Sequence, residues 1–382
     1  MQICFYCQHV LGVGHLFRTL AVCRALAPLP VSLILGGPDA PAAVPENVSV
    51  LKLPALSMDE GFSALRAEGG ADLEEVKEAR ARMLAEHFEK LRPRVFVVEL
   101  FPFGRKAFAF ELAPILEGLR KGLPSPCKVV CSLRDILVEK KDPEGFERLA
   151  LRRLNAWFDA LVVHADPSVV RLSATFSREA EIEVPIFYSG YVARQSGTGS
   201  AESLRRSLGL SASDTLVVAA AGGGSVGGPL LSATVSAFGA FRRKHPGKLL
   251  CFTGPYLSDQ AFAHLVRTAG EGVQVRRFTP DFPSLLEAAD LAVTMAGYNT
   301  MADLAASRSR ALVWPFGQNR EQRMRAELFG KRMPVRALAD EDLAPERLAR
   351  AMGSLLSEPR PEAPALDLAG ADNTAQYLKA IS

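Results

Sequence analysis

Residues 215–229 read TLVVAAAGGGSVGGP and contain the pattern that decides the fold. A short apolar run with β-branched residues, 215–220, leads into a glycine-rich turn, 221–228, and apolar residues with helical spacing follow from Pro229. In such a strand–turn–helix unit, glycines let backbone N–H groups approach an anion, and the helix N-terminus adds partial positive charge. The stretch therefore predicts a βα unit of a parallel sheet whose turn can hold a phosphate.

Short apolar runs that alternate with longer helical patterns continue over the whole chain. The first half contains predicted strands at residues 2–6, 31–35, 48–51, 94–99, 128–131, 160–164 and 183–188. The second half contains predicted strands at 215–220, 248–253, 273–276, 291–294 and 311–314, and helices between them at 229–243, 259–268, 282–288, 300–307 and 321–329. This rhythm predicts an α/β fold of two doubly wound, Rossmann-like domains.

The segment of residues 189–200, SGYVARQSGTGS, contains small residues and no core-forming run, and we expect the domain boundary there. Two domains also suit a chain of 382 residues that is 48% hydrophobic, which exceeds what one ordinary core needs. The predicted division is an N-terminal domain of residues 1–192 and a C-terminal domain of residues 193–360. A last helix within residues 361–382 is expected to pack back on the N-terminal domain.

The charges and the apolar runs exclude two classes of protein. Lysine and arginine total 45 against 42 acidic residues, and no basic tract stands out, so nucleic acid is not an expected partner. No apolar run approaches the roughly 20 residues that span a bilayer, and residues 1–6 lack the basic start of a signal peptide. We expect a cytoplasmic protein with at most peripheral membrane association.

No metal or cofactor is expected from the cysteines. Cys4 and Cys7 have C-x-x-C spacing, but no second pair or histidine cluster follows at zinc-site distance. Cys4, Cys7, Cys127 and Cys131 lie in apolar stretches and are therefore predicted to be buried free thiols.

Two further polar turns follow strands of the second predicted sheet. Residues 296–303, AGYNTMAD, place Asp303 one turn inside a helix, where a carboxylate can accept hydrogen bonds from two ribose hydroxyls. Residues 314–322, WPFGQNREQ, add amides at the next turn. The alternative is that Asp303 is a helix-face charge and Asn299 an N-cap. Three successive polar turns on the carboxyl edge of one sheet favour a ligand site.

These turns make the second half similar to the donor domain of the MurG-type (family 28) peptidoglycan N-acetylglucosaminyltransferases. Residues 189–194, SGYVAR, occupy the place of the family's T-G-N-P-V-R linker. Residues 223–228, GGSVGG, resemble its G-G-S-Q-G-A phosphate turn, with Val226 where the family has Gln. Residues 319–322, NREQ, resemble its D-R-Q-Q, and Asp303 falls on its ribose-binding glutamate.

The resemblance implies a GT-B fold, two Rossmann-like domains facing across a cleft, with a sugar-nucleotide donor, first of all a UDP-sugar, in the second. Arg194 is implied to contact the donor diphosphate, Phe278 and Thr279 the nucleobase, and Asp303 the ribose. The donor-binding residues implied together are Arg194, Gly223, Gly224, Ser225, Gly227, Phe278, Thr279, Gly297, Asn299, Thr300, Asp303 and Gln322.

The first half matches that family less fully. Residues 11–15, LGVGH, lie where the family has G-G-T-G-G-H. Residues 12–18 are also similar to the G-x-G-H-x-x-R of nucleotide-sugar hydrolases from nonulosonic acid pathways, in which that histidine is catalytic. His15 is therefore the predicted catalytic residue, with a structural residue at a helix start as the alternative. The chain further resembles a little-characterised group of predicted bacterial glycosyltransferases, by residues 99–105, ELFPFGR, and 132–135, SLRD.

Both of these last motifs end predicted strands and supply candidates for the acceptor side. Glu99 is a candidate general base, and the acceptor-side candidates are Gly14, Arg105, Arg134 and Asp135, whose arginines could pair an anionic acceptor. The alternative is that Glu99–Arg105 and Arg134–Asp135 form salt bridges near the strand ends. The phenylalanines of residues 101–110 could seat a lipid tail, although core packing is the simpler interpretation.

The expected reaction is metal-independent transfer of a sugar from a nucleotide diphosphate to an unknown acceptor, lipid-linked or an anionic small molecule, with the inversion that the family implies. Two alternatives remain open. One is a nucleotide-sugar hydrolase or epimerase of the nonulosonic-acid type that uses His15, and the other is a catalytically silent protein that binds sugar nucleotides.

Overall fold

The computed structural model describes residues 2–9, 13–39, 42–58, 65–194, 196–197, 199–223, 226–317, 320–362 and 366–382. It divides the chain into two compact units, Met1–Val192 with Ala369–Ser382, and Ala193–Leu368. Each unit contains its own parallel sheet with helices, so the predicted α/β architecture of two Rossmann-like halves is confirmed.

The first unit is built on a sheet of parallel strands in the order β3-β2-β1-β6-β7-β8-β9. These strands are β1 (Ile3–Cys7), β2 (Val31–Leu35), β3 (Val48–Lys52), β6 (Val95–Glu99), β7 (Lys128–Arg134), β8 (Ala160–His164) and β9 (Ile186–Tyr188). A separate antiparallel ribbon pairs β4 (Leu56–Met58) with β5 (Leu65–Ala67). The helices of the first unit are α1 (Gly14–Ala25), α2 (Leu73–Leu91), α3 (Ala109–Arg120), α4 (Pro143–Trp157) and, from the end of the chain, α12 (Gly370–Ala380).

The second unit repeats this plan with the strand order β12-β11-β10-β13-β14-β15. Its strands are β10 (Thr215–Ala220), β11 (Gly247–Phe252), β12 (Val273–Arg276), β13 (Leu291–Met295), β14 (Ala311–Trp314) and β15 (Val335–Ala337). Its helices are α5 (Ala201–Ser207), α6 (Gly228–Arg242), α7 (Asp259–Thr268), α8 (Phe282–Ala288), α9 (Tyr298–Ala306), α10 (Arg320–Gly330) and α11 (Pro345–Leu356).

Both sheets contain a switch point, which is the place where the strand order reverses. In the first unit it lies between β1 and β6, and in the second between β10 and β13. Crossover helices leave these paired strands toward opposite sides, so a crevice opens at their carboxyl ends, where open α/β sheets bind ligands. The fold therefore points to one candidate site in each unit.

The end of the chain belongs to two different units. Residues 361, 362 and 366–368 stay with the second unit rather than joining the last helix as predicted. Arg308 donates to the Glu362 carbonyl (2.9 Å) and Arg360 to the Ser307 carbonyl (2.7 Å). Helix α12 lies on the first unit, where Tyr377 stacks on Phe187 with ring centroids 4.5 Å apart.

The cysteines of the chain are free thiols. All are buried except Cys127, which lies just before β7 and is partly exposed, so the prediction that it is buried is wrong. Within the described ranges, no helix is long and apolar enough to cross a membrane.

Candidate functional site

The first site forms where β1 and β6 end side by side. His15 lies in the first turn of α1, and Glu99 is the last residue of β6. The Nδ1 atom of His15 is 2.9 Å from Glu99 Oε1, and Arg18, one turn further along α1, donates to the same oxygen. Glu99 is only 3% exposed, whereas the His15 side chain remains 16% exposed. The start of α1 and the end of β6 thus bring a histidine, a carboxylate and an arginine together at the switch point.

The charges around this pair determine the proton positions. Burial alone would raise the pKa of Glu99, but the Arg18 charge and the contact with His15 hold it well below its ordinary value, so Glu99 is ionised. Burial, with help from Arg105 and Arg18, lowers the pKa of His15 to about 3 against the opposing effect of Glu99. Arg18 Nη2 also lies 3.1 Å from His15 Nδ1, but the shorter contact of Nδ1 is with ionised Glu99, which only accepts hydrogen bonds. That contact favours the proton of neutral His15 on Nδ1 and leaves the Nε2 lone pair as a proton acceptor.

This geometry corrects the predicted role of Glu99. A general base must reach the proton that it removes, and Glu99 is buried with its oxygens bound to Arg18, His15 and Ser132. The carboxylate therefore orients His15 rather than acting on a substrate. The predicted Glu99–Arg105 salt bridge is not formed either, because Arg105 Nε donates to the Gln8 carbonyl at 2.7 Å.

The segment after β6 has a strained backbone. Leu100 and Arg105 have positive φ angles of 69° and 58°, a conformation that costs non-glycine residues energy and clusters at functional sites. The Leu100 amide donates to the Ser132 carbonyl at 2.8 Å. Phe101, Phe103 and Phe108 are buried in the core, so this segment does not offer those side chains to a lipid tail.

The remaining acceptor-side candidates lie around the same sheet edge. Gly14 is the first residue of α1, and Arg134 ends β7. Burial lowers the pKa of Arg105, and the nearby Arg134 charge contributes in the same direction. Asp135 is 1% exposed and accepts a hydrogen bond from the Ile136 amide at 2.8 Å, so it caps the backbone after β7.

A second buried ion pair fixes the end of β1. Arg80, from α2, binds both oxygens of Glu111 and donates to Gln8 Oε1 at 2.8 Å, while Tyr6 donates to Glu111 Oε1 at 2.5 Å. Because the Gln8 carbonyl accepts from Arg105, this network ties α2 and α3 to Gln8, just after β1, and to the segment after β6. The sequence contained no signal for it beyond the presence of charged residues in amphipathic helices.

The second site forms where β10 and β13 end. Gly227 precedes α6, and a Cβ on Gly227 would lie 2.2 Å from Ala221 Cβ and 3.2 Å from Met295 Sδ, so the turn requires glycine there. The Gly223 carbonyl accepts from the Tyr256 amide at 3.0 Å, and the Tyr256 side chain, 41% exposed, lies beside Gly223. The first turn of α6 carries no acidic residue, which leaves its N-terminus favourable for an anion. The predicted residues Gly224 and Ser225 lie outside the described residues.

The structure pairs Arg194 with Asp303. The Asp303 side chain is fully buried and accepts from the Arg194 amide (2.9 Å), Nε (2.8 Å) and Nη2 (2.5 Å). Burial raises the pKa of Asp303, and the Arg194 charge opposes that effect. The structure thus adds a direct ion pair between the two residues, and their predicted contacts with diphosphate and ribose stay predictions. The Arg194 guanidinium that Asp303 holds stays 20% exposed.

The other donor-side candidates occupy neighbouring strand ends of this sheet. Gly297 precedes α9, so Asn299 and Thr300 lie in its first turn and the alternative of Asn299 as N-cap is wrong. Gln322 Oε1 accepts from the Phe316 amide at 3.1 Å and so braces the turn after β14. Phe278 and Thr279 follow β12 and are partly exposed.

No group of three or more His, Cys, Asp or Glu side chains arranged to hold a metal ion occurs in the part of the chain that the structure describes. The D-x-D sequence at residues 340–342 lies in a short 3₁₀ turn, where both carboxylates have structural partners. Asp340 accepts from the Trp314 indole at 2.9 Å, and Asp342 accepts from the Ala339 amide at 2.9 Å.

Comparison with known proteins finds a family match for most of the second half of the chain. Residues 217–376 match the glycosyltransferase family 28 C-terminal domain. A UDP-N-acetylglucosamine–N-acetylmuramyl-(pentapeptide) pyrophosphoryl-undecaprenol N-acetylglucosamine transferase from Desulforudis audaxviator is 30% identical over 169 residues, 42% of this chain and 44% of that protein. Its counterpart from Carboxydothermus hydrogenoformans is 28% identical over 41% of this chain and 42% of that protein. The matched segments thus span less than half of these relatives.

Solved structures extend the likeness over both units. The glycotransferase of kitacinnamycin superposes with a TM-score of 0.63 at 17% identity, covering 100% of this chain and 98% of that one. Acinetobacter baumannii MurG superposes with a TM-score of 0.53 at 15% identity, covering 98% of this chain and 95% of that one. UDP-GlcNAc 2-epimerase from Methanocaldococcus jannaschii gives 0.61 at 12% identity, covering 100% of both chains. The fold is that of the GT-B glycosyltransferases, and the epimerase shares it.

Proposed function

We propose that this chain, whose second half carries a family 28 C-terminal domain, is a glycosyltransferase that moves a sugar from a nucleotide diphosphate to an acceptor hydroxyl. The observation that carries the proposal is the neutral His15, held by Glu99 at the switch point of the first sheet with Nε2 available to take a proton. The glycine turn before α6, at the switch point of the second sheet, supplies the second feature that the reaction needs, a place for the donor diphosphate.

The donor is bound through charge on its diphosphate. The backbone N–H groups at the start of α6 and the helix dipole behind them face the phosphates, and Arg194, fixed by Asp303, adds a cation. These groups stabilise the negative charge that grows on the leaving diphosphate, and no metal is needed for that task. We further propose a UDP-sugar as donor, as in the printed names of the relatives.

The acceptor is activated by His15. Nε2 takes the proton of an acceptor hydroxyl while its oxygen attacks the anomeric carbon, and the bond from that carbon to the diphosphate oxygen breaks with the electron pair leaving on the nucleoside diphosphate. Attack opposite the leaving group inverts the anomeric configuration. Arg105 and Arg134 near this site suit an anionic acceptor, lipid-linked or a small molecule, and no membrane-spanning helix is required for a peripheral contact.

A second candidate function is nucleotide-sugar epimerisation or hydrolysis. The structural likeness to UDP-GlcNAc 2-epimerase, which covers 100% of both chains, favours keeping it. The two functions differ in what they need, because an epimerase or hydrolase converts the sugar nucleotide without an added acceptor. Product analysis of UDP-sugars incubated with the protein alone distinguishes them.

Nucleotide binding is the first test of the proposed donor site. A panel of nucleoside diphosphates is added to the full chain with EDTA and, in parallel, with Mg²⁺, and the melting temperature is recorded. We expect UDP to stabilise the protein in EDTA, by about 2.7 kcal/mol at 100 times its Kd. Stabilisation that occurs only with Mg²⁺ would contradict the metal-independent site, and no stabilisation by any nucleotide would contradict the donor site itself.

A further inference from the structure

A line of hydrogen bonds continues from Glu99 into the interior of the first unit. Ser132 on β7 donates to Glu99 Oε2 at 2.6 Å, and its oxygen lies 2.9 Å from His164 Nε2 at the end of β8. His164 Nδ1 is in turn 2.9 Å from Ser189 Oγ. These side chains are buried: Ser132 is 7% exposed, His164 1% and Ser189 0%. None of them belongs to the groups that face a substrate in the proposed mechanism.

The donors and acceptors between Glu99, Ser132 and His164 can be arranged in only one order. Ionised Glu99 only accepts, so the single hydroxyl proton of Ser132 points to Oε2. The Ser132 oxygen then accepts from His164, whose proton must lie on Nε2. Burial, together with the Arg18 charge, lowers the pKa of His164 to about 3, so the ring is neutral and its Nδ1 atom carries no proton. The Ser189 hydroxyl lies 2.9 Å from Nδ1 and also donates to the Gly190 carbonyl at 3.0 Å. Ser132 and His164 are thereby oriented toward the carboxylate.

The strand order explains why these residues meet. Strands β6, β7 and β8 are neighbours, and Glu99 and Ser132 are paired in register. His164 lies opposite Arg134, two residues beyond Ser132, at the carboxyl end of the sheet. The two oxygens of Glu99 therefore have different partners, with the α1 residues His15 and Arg18 on Oε1 and Ser132 on Oε2.

We propose that Ser132 and His164 are positioning residues for His15. By holding Oε2, they fix the plane of the Glu99 carboxylate so that Oε1 receives the Nδ1 proton of His15 and the Nε2 lone pair points away from the protein. The inference rests on the proposed function for the role of His15 as base, whereas the orientation of the ring is measurable without any substrate.

The groups that face Glu99 come from several elements, and they set its response to the loss of Ser132. His15 and Arg18 project from α1, Arg105 from the segment after β6 and His164 from β8. Cys7 on β1 and Cys131 on β7 are neutral thiols, since burial raises the pKa of Cys7 to about 12 and that of Cys131 well above its ordinary value. Losing the Ser132 donor raises the pKa of Glu99 while these neighbours stay unchanged, so protonation of Glu99 begins at higher pH.

The direct test is the tautomer of His15, read by nitrogen-15 NMR of histidine-labelled full-length protein without substrate. In the wild type, His15 is expected as the Nδ1–H form and His164 as the Nε2–H form. Ser132→Ala is expected to give a mixture of His15 tautomers, and Ser132→Thr, which keeps the hydroxyl, to restore the wild-type signal. The matched control is Ser32→Ala, because Ser32 is a buried strand serine bonded to another histidine, His87, at 2.8 Å. An unchanged His15 signal in folded Ser132→Ala overturns the proposal.

Kinetics give the second readout. Ser132→Ala is expected to lower kcat by about 10-fold to 100-fold, the loss usual when a partner behind a functional histidine is removed, with donor KM nearly unchanged. In Ser132→Ala, the acid limb of the profile of kcat against pH should move to higher pH. His164→Leu, which removes the donor behind Ser132, should move it in the same direction. A loss by one constant factor at every pH would overturn the positioning role. A wild type with the expected His15 tautomer but no transfer would contradict the proposed function alone.

Discussion

At the scale of single residues, the pairing of Arg194 with Asp303 has consequences for stability. Arg194→Ala leaves a fully buried carboxylate without its cation, and removal of one partner of a buried pair costs about 3–5 kcal/mol of unfolding free energy. Without Arg194 the pKa of Asp303 rises further above its unfolded value. The variant therefore keeps its stability below the pKa that Asp303 has in the unfolded chain. It loses that stability as the pH rises through the pKa of Asp303 in the folded protein.

Urea denaturation at pH 7 and pH 5 tests this expectation. The deficit of Arg194→Ala against the wild type should shrink at pH 5 because the carboxylate takes up a proton. Arg242→Ala, which breaks the exposed Arg242–Glu271 pair of the same unit, is the control and should cost about 1 kcal/mol or less at both pH values. An equally small loss for Arg194→Ala would contradict the burial of the Asp303 charge.

Two histidines of the first unit, the partly exposed His15 and the buried His164, make stability depend on pH. His15 and His164 have pKa values of about 3 in the folded protein, whereas an unfolded histidine titrates near 6.5. The unfolded chain therefore binds more protons in this interval, and the unfolding free energy falls as pH drops below about 6.5. His164→Gln should reduce the slope of the unfolding free energy against pH by up to about 1.4 kcal/mol per pH unit. Exposed His264 of α7 provides the control variant His264→Gln, and equal slopes in the two variants would contradict the buried neutral imidazole.

The residues of the sites could be predicted only where they share a short motif. His15 and Arg18 stand in one helical turn, so the similarity to G-x-G-H-x-x-R was enough to single out the histidine. Ser132 and His164 reach Glu99 from separate strands, and only the order β6-β7-β8 brings them together. The Arg194–Asp303 pair joins residues 109 positions apart, and no local pattern distinguishes that ion pair from two separate ligand contacts.

At the scale of elements, the start of α6 is where a small change should have the largest effect on the donor. A methyl group on Gly227 would meet Ala221 and Met295, so Gly227→Ala must displace the turn or the helix N-terminus. We expect UDP to stabilise this variant less than the wild type. Gly239→Ala is the control in the same helix, because nothing lies within 4 Å of its added Cβ. There alanine should stabilise the helix by about 1 kcal/mol and leave UDP binding unchanged.

Element positions followed from the sequence wherever apolar runs were long enough. The strands at 31–35, 160–164, 215–220, 273–276 and 311–314 have the predicted bounds. The ribbon of β4 and β5 and the edge strand β15 were not predicted, and each contains only three residues. Such short strands depend on pairing with neighbours rather than on a pattern of their own.

At the scale of the whole molecule, the return of the chain to the first unit can be tested with two matched leucines. Leu378 of α12 and Leu355 of α11 are both 0% exposed, the first in the core of the first unit and the second in that of the second. Replacement of either by alanine should cost about 2–5 kcal/mol. In calorimetry, UDP should raise the melting temperature of the transition of the second unit. Leu355→Ala should lower that melting temperature, whereas Leu378→Ala should leave it unchanged. A loss of the UDP-raised transition in Leu378→Ala would contradict the division of the core.

The central claim is that His15 acts as the base in sugar transfer from a bound nucleotide donor, and one comparison of wild type with His15→Ala tests it. Release of nucleoside diphosphate is followed with the sugar nucleotide and acceptor that the wild type uses best, and donor affinity is measured on the same samples by calorimetry. The account predicts that His15→Ala binds donor almost normally while kcat falls by about 100-fold or more. An intact kcat in a variant that binds donor normally would contradict it.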